Sequence, residues 1–347
     1  MQLFITTYGA YLHIQDGMFQ VRFKNGDTEI KKKIPPKKIS SIVLDKGTAL
    51  SYEAVKTALA HNIDIVFTEG DGIPLGRIWH SKLGSTTKIR KRQLEASIGP
   101  EAVSWVTQWL AEKAGRQCEN LRELKKHRKP HETLINEAIS KIEAQKGKIE
   151  NFSEHAHIDE IADSLRGYEG TAGRWYFQTL SALLPSAYRF KGRSFRPAND
   201  PFNAFLNYGY GMLYARIEKV LMLAGLDPYV GFMHRDDYNQ KSFVFDFIEP
   251  YRPFVDLTIY RLFSGKKVQS EHHEAITNGT GLTKSGKELI VTAFIQRFDT
   301  ETIRYRGRNL TRMHAIQMDA HQFANKLISS PVTDVPSIDL MQPDLPF

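Results

Sequence analysis

The amino-acid sequence predicts an α+β protein, with a small N-terminal β-sandwich domain followed by a larger all-α domain. Two observations carry that expectation. Residues 1–84 hold short runs of alternating or β-branched character set apart by turn dipeptides, and from Lys88 onward the apolar residues recur at helical spacing. A chain of 347 residues is also long enough for about two domains with cores of their own.

In chain order, LFITTY (3–8), YLHIQ (11–15), MFQVRFK (18–24) and EIKKKI (29–34) read as short strands. Asp16-Gly17 and Asn25-Gly26 separate three of them, and both dipeptides tolerate the positive φ of a tight hairpin turn. ISSIVLD (39–45) and IDIVFTE (63–69) are more continuously apolar and read as buried strands. Between them Ser51 is placed to cap a short helix, SYEAVKTALAHN, with Glu53 in its first turn. PLGRIWH (74–80) is the last expected strand. Short strands at close spacing with one helix favour a sandwich over a parallel sheet.

Residues 85–99 form a linker and first helix. Pro100 opens the next helix, where a first-turn proline is tolerated, and Val103, Val106, Trp109 and Leu110 share its apolar face. Further helices are expected over 134–152, 159–184, 202–226 and near 253–264, 285–305 and 309–329. The stretch 202–226 is almost wholly apolar on one side and reads as central. The helical domain thus runs over 100–330. The tail, 331–347, has four prolines and three aspartates with no basic residue, and reads as disordered when alone. Ile338, Leu340, Leu345 and Phe347 also give it the makings of a docking segment.

Composition narrows the function class. The net charge of +8 favours a polyanionic partner, nucleic acid ahead of an anionic membrane surface. Cys118 is the single cysteine, which excludes an intramolecular disulfide and suits a reducing cytoplasm. No signal-peptide pattern is evident, and no run approaches the roughly 18 apolar residues of a membrane span. P-loop, dinucleotide-binding, HExxH and paired-cysteine zinc patterns are absent. The adjacent pair His272-His273 reads as a surface feature.

Three places could carry chemistry. In GFMHRDDYNQKSFVFDFIEPYRP (231–253), His234 ends one apolar run, while Asp246 and Glu249 interrupt a second. On a helix these two acids would stand one turn apart on one face. Carboxylates seldom enter an apolar run without a partner, and a hard divalent cation is one candidate. The plainer reading has them facing solvent or pairing with Arg252 and Arg261. In GYEGTAGRWYF (167–177), Glu169 lies between Gly167 and Gly170, with Arg174 five residues on. In YRFKGRSFRP (188–197), Arg189, Lys191, Arg193 and Arg196 interleave with Tyr188, Phe190 and Phe195, which suits phosphate attraction and base stacking. A second basic cluster, Lys82 to Lys129, fits a solvated helix face as well as it fits binding.

The blocks YEGTAGRWYF, RPANDPFNAFLNYGYGMLY (196–214), GLDPYVGFMH and SFVFDFIEPYRPFVD (242–256), in that order and spacing, resemble the CRISPR-associated protein one family of metal-dependent DNA endonucleases and integrases. The resemblance implies an Mg²⁺ or Mn²⁺ site built from Glu169, His234 and Glu249, with Asp246 close by as an auxiliary catalytic residue. The roles of Asp236 and Asp237 stay open. It implies joining of 3′-hydroxyl DNA ends to a CRISPR repeat by transesterification, with Arg174, Arg193, Arg196, Lys241 and Arg252 as candidate phosphate contacts. It further implies double-stranded DNA as partner, a homodimer formed through the β-rich domain, and a small ferredoxin-like CRISPR-associated partner protein. A stand-alone structure-specific nuclease acting on branched DNA in repair or transposition is the alternative. A non-catalytic nucleic-acid scaffold, its carboxylates merely paired with arginines, is a third reading.

Overall fold

The computed structural model describes residues 2–329, apart from 27, 40, 62, 70–73, 79–85, 153–156 and 235–240. Its N-terminal part is strand-rich and the remainder mostly helical. Two four-stranded sheets make up the first part. In one, β1 (Gln2–Ile5), β5 (Ser41–Asp45) and β7 (Asp64–Thr68) run parallel, and β8 (Pro74–Ile78) adds antiparallel to β7. In the other, β2 (Tyr11–Gln15), β3 (Met18–Asn25) and β4 (Thr28–Ile34) form an antiparallel meander, and the two-residue β6 (Ala49–Leu50) pairs parallel with β2. The β2–β3 turn uses Asp16 and Gly17 at φ 53° and 70°, as that dipeptide requires. Helix α1 (Tyr52–Ala60) is capped by Ser51, whose hydroxyl accepts the N–H of Ala54 at 3.1 Å.

The largely parallel sheet corrects the expectation of a sandwich without parallel strands. Its central strands, β5 and β7, are buried on both faces, which is why ISSIVLD and IDIVFTE read as continuous apolar runs. Ile42, Leu44 and Ile65 face a core shared with Leu12, Phe19 and Val21 of the meander and Ala54 and Ala58 of α1. Val43 and Val66 point the other way, onto Ala215 of the helical part.

Helices α2 (Thr87–Ile98), α3 (Glu101–Lys125), α4 (Glu132–Glu150), α5 (Ile158–Leu183) and α6 (Pro201–Leu223) follow in order. Then come the short α7 (Ser242–Phe247), α8 (Arg252–Ser264), α9 (Lys284–Ile295) and α10 (Arg312–Ser329). Helix α6 is buried on nearly all sides and approaches α8 so closely that a Cβ on Gly209 would lie 2.7 Å from Val255 Cγ1. Trp109, Phe232, Phe243, Phe247 and Phe323 pack edge-on or tilted around one another, tying α3, α7 and α10 together.

The helical part is not all-α. Hairpins β9–β10 (His273–Ile276, Gly279–Leu282) and β11–β12 (Thr302–Tyr305, Arg308–Thr311) interrupt it. Their turns place Asn278 at φ 63° and Arg306-Gly307 at φ 46° and 80°. The helix expected over 285–305 therefore ends at Ile295, passes through one π-helical turn over Gln296–Thr300, and gives way to β11. His272 and His273 lie at the junction of a short 3₁₀ turn and β9, where His272 Nδ1 accepts the N–H of Gln269 at 2.8 Å. Among the described residues, no helix is long and apolar enough to cross a membrane.

A buried ion cluster fastens the two parts. Arg77 of β8 donates to the carbonyl of Ala215 (2.6 Å) and lies 3.7 Å from Asp64 and 3.5 Å from Glu218. Lys219 pairs with Asp64 at 2.7 Å and Lys241 with Glu218 at 3.0 Å.

Candidate active site

The segment carrying His234 is fixed from two sides. Gln93, fully buried on α2, accepts the N–H of Asp227 at 2.8 Å and donates to the carbonyls of Asp227 and Val230 at 2.9 and 3.0 Å. From α7, the buried Asp246 accepts the N–H groups of Phe232 (2.6 Å), Met233 (3.2 Å) and His234 (3.2 Å). Its Oδ1 also lies 2.6 Å from His234 Nδ1. A carboxylate at that nitrogen makes Nδ1 the proton-bearing one and leaves the lone pair on Nε2. Gly231 has no space for a side chain: a Cβ there would lie 2.3 Å from the His234 carbonyl oxygen.

Asp246 and Glu249 lie on either side of a break in the helix. Pro250 and Pro253 have no N–H to donate, so α7 ends and the chain takes a 3₁₀ turn over Glu249–Tyr251 before α8 begins. Arg116 of α3 braces the turn by donating to the Pro250 carbonyl while its guanidinium lies 5.2 Å from the centres of the Tyr251 and Phe254 rings.

Glu169, on α5, and Glu249 meet at a residue that the sequence reading passed over. The ammonium of Lys113, on α3, contacts Glu169 Oε1 and lies 2.5 Å from Glu249 Oε2. Arg252 pairs with the other Glu249 oxygen at 3.0 Å and donates to Tyr214 Oη at 2.6 Å. Burial works against the Lys113 ammonium, but Glu169 and Glu249 outweigh it and hold its pKa above the ordinary lysine value. Burial likewise opposes the Glu249 carboxylate. Arg252 and Lys113 overcome this, with His234 adding in the same sense, and its pKa lies below the usual range.

A cleft of about 540 Å³ opens beside Glu169 and Lys113. Arg174, Lys191, Arg193 and Arg252 line it, with Asp256 and Tyr210 at its wall. Arg193 donates to Asn203 and Asn207 and lies over the Phe177 and Tyr210 rings, so it is held in place. Asp256 accepts the Tyr210 hydroxyl at 2.5 Å, and burial pushes its carboxyl up to about 7.

Two expected phosphate contacts lie elsewhere. Arg196 lines a separate cleft with Phe195, Lys46 and Lys287, beside the β9–β10 hairpin. Lys241 is engaged by Glu218 in the cluster joining the two parts of the chain. Within the Lys82–Lys129 cluster, Arg92 is buried, pairs with Glu95 and donates to the Leu327 carbonyl, whereas Arg122 pairs with Glu143 at the surface. Asp236, Asp237 and the 331–347 tail lie outside the described residues.

Among the described residues, no three of His, Cys, Asp and Glu stand together as a finished metal cage. The donors nevertheless suit a hard divalent cation. Two carboxylates from separate helices already converge on one positive group, and a histidine with Nε2 available lies near enough to act on Glu249. Glu249 Oε2 is buried and already meets one cation, the Lys113 ammonium at 2.5 Å. A buried carboxylate oxygen held on a positive group is the kind a divalent cation can also satisfy.

Residues 3–296 match the family described as CRISPR associated protein Cas1. A CRISPR-associated endonuclease Cas1 of Archaeoglobus fulgidus is 32% identical over 331 residues, covering 92% of this chain and 94% of that protein. Among solved structures, a casposase bound to integration product superposes with a TM-score of 0.81 at 21% identity, covering 99% of this chain and 94% of that one. A chain of a Cas6-RT-Cas1–Cas2 complex superposes with a TM-score of 0.76, also at 21% identity, covering 95% of this chain and 35% of that one. Likeness at 21% identity establishes the shared fold. The chain belongs to the CRISPR-associated protein Cas1 family.

Proposed function

We propose that this Cas1-family enzyme is a DNA endonuclease and integrase of CRISPR adaptation, joining the 3′-hydroxyl ends of short duplex DNA to the CRISPR repeat by transesterification. Family membership supports the activity class, and one observation carries the site: Glu169 and Glu249 converge on a single cation position beside a cleft lined with arginines and lysines. Glu169, His234 and Glu249 are the residues that would hold Mg²⁺ or Mn²⁺. Such an ion, when bound, stabilises negative charge on the phosphoryl oxygens and polarises an attacking hydroxyl.

The chain's own groups do the rest. Asp246 fixes the His234 ring and its tautomer. Arg252, anchored by Glu249 and Tyr214, together with Arg174 and Arg193, holds the DNA backbone across the cleft. Arg196 and Lys46 extend the positive surface toward the second cleft. The catalytic unit spans 100–330 and the β-rich unit, 1–84, mediates homodimer formation. The Cas2 component of the similar solved complex supports a small ferredoxin-like partner for this chain.

The test combines the protein and its partner with a 3′-hydroxyl duplex, a supercoiled repeat-bearing plasmid and Mg²⁺ or Mn²⁺. Joined product is expected, and it is lost in Glu169→Ala, His234→Ala and Glu249→Ala. Cutting without joining would favour a stand-alone nuclease. Joining that survives all three substitutions would remove this site from consideration.

A further inference from the structure

We propose that Lys113 is a built-in cation that holds the two metal-binding carboxylates together before an ion arrives, and then turns its ammonium into the adjoining cleft to meet a DNA phosphate. The inference deepens the metal-site reading above and rests on it.

Three observations carry it. First, Lys113 emerges from the apolar face of α3, between Leu110 and Ala114, and its side chain is only 10% exposed. Its ammonium is nonetheless placed at the one point where Glu169 and Glu249 come together. Two carboxylates drawn from different helices repel each other in a poorly solvated site unless a positive group lies between them. Second, the other cation there is not free to leave. Arg252 is fastened to Glu249 and Tyr214 Oη, with its guanidinium 5.2 Å from the centre of the Tyr210 ring. Lys113 is a point charge on a flexible four-carbon stem, which can swing where a fixed planar fork cannot. Third, there is somewhere to go: Lys113 and Glu169 both line the cleft that Arg174, Lys191 and Arg193 surround.

A divalent ion and an ammonium cannot occupy the same place between two carboxylates. Ion binding must therefore displace Lys113, and by linkage the lysine must weaken the ion's affinity. The displaced ammonium adds a cation to the cleft only when the ion is present. Ion and DNA thus bind cooperatively, and a metal-free site keeps its carboxylates stapled and its phosphate contacts incomplete.

The experiment measures Mn²⁺ binding to the full chain from the electron paramagnetic resonance signal of free Mn²⁺, for wild type, K113M, K113Q and K113R, with E169Q and H234A as controls. K113M and K113Q are expected to bind Mn²⁺ about tenfold or more tighter than wild type. K113R, whose fork grips both carboxylates, is expected to bind it more weakly. A fluorescent 3′-hydroxyl duplex supplies the second readout: Mn²⁺ raises DNA affinity in wild type, and K113M loses most of that gain. If E169Q and H234A weaken Mn²⁺ binding but the neutral variants bind it no better than wild type, the lysine inference fails and the metal site stands. K113R binding Mn²⁺ as tightly as wild type would also count against it. If E169Q and H234A leave Mn²⁺ binding unchanged, the metal reading itself falls.

Discussion

Replacing Asp246 by asparagine isolates the residue that orients the histidine. The carboxylate serves four donors: three backbone N–H groups from consecutive residues and the Nδ1 of His234, at 2.6 to 3.2 Å. Oδ2 takes Phe232 and Met233, while Oδ1 takes both groups of His234. A carboxamide has one acceptor oxygen and one amide nitrogen that only donates. Whichever way Asp246→Asn turns, its NH₂ faces groups that also donate. If the oxygen stays with Phe232 and Met233, the N–H of His234 loses its acceptor at a buried site. The imidazole must then present a lone pair at Nδ1, which moves its proton to Nε2, where a metal ligand cannot have one. One or two orphaned donors, at about 1–3 kcal/mol each, give a destabilisation of about 1–6 kcal/mol. Loss of the orienting partner lowers Mn²⁺ affinity by about 10- to 100-fold. Urea denaturation reads the first quantity and Mn²⁺ titration the second. A D246N chain within about 0.5 kcal/mol of wild type, binding Mn²⁺ equally well, would refute the reasoning.

Other outcomes follow from the same geometry. Arg174 is exposed at the cleft, so R174A should weaken duplex binding uniformly across sequences and lower the slope of affinity against salt by about one; a loss confined to one sequence would contradict a phosphate contact. Asp256 sits at about 7 in the folded chain, against roughly 3.9 when unfolded. The folded state therefore keeps a proton that the unfolded state has released, and this group makes stability fall as pH rises from about 4 to about 7. D256N should flatten that part of the stability profile, by a few kcal/mol at most, and an unchanged profile would show that the group is not protonated there. R77A removes a shared buried partner of Asp64 and Glu218, which keep Lys219 and Lys241, and should lower stability by about 1–3 kcal/mol, read as a drop in thermal midpoint. An unchanged midpoint would mean that the cluster does not fasten the strand-rich and helical parts together.

Much of the architecture was legible because its signals are local. The Asp16-Gly17 turn, the Ser51 cap and the apolar face of α3 each depend on residues a few positions apart, and each is where the pattern places it. What was misread depends on distant pairing. The parallel alignment of β1, β5 and β7 is decided by partners some 20 to 40 residues away, although two continuous apolar runs flanking a helix are a sign of it. The hairpins at 273–282 and 302–311 were missed because their strands are short and polar, even though Asn278-Gly279 is the same dipeptide signal used at Asn25-Gly26.

The candidate site divides in the same way. Glu169, His234, Asp246 and Glu249 could be singled out in the linear chain, since acids and an imidazole inside apolar runs stand out and the order of the surrounding blocks resembles a known family. The sequence by itself marked those residues as candidates and determined the family. Only the tertiary structure shows what each of them touches. Asp246 holds a histidine, while Glu249, beyond the helix break at Ile248, meets Glu169 across the Lys113 ammonium. Lys113 illustrates the limit most clearly. Its sole trace in the sequence is a lysine where α3 calls for an apolar residue, and what it pairs with, 56 residues away on α5 and on the turn before α8, is set by three-dimensional packing alone.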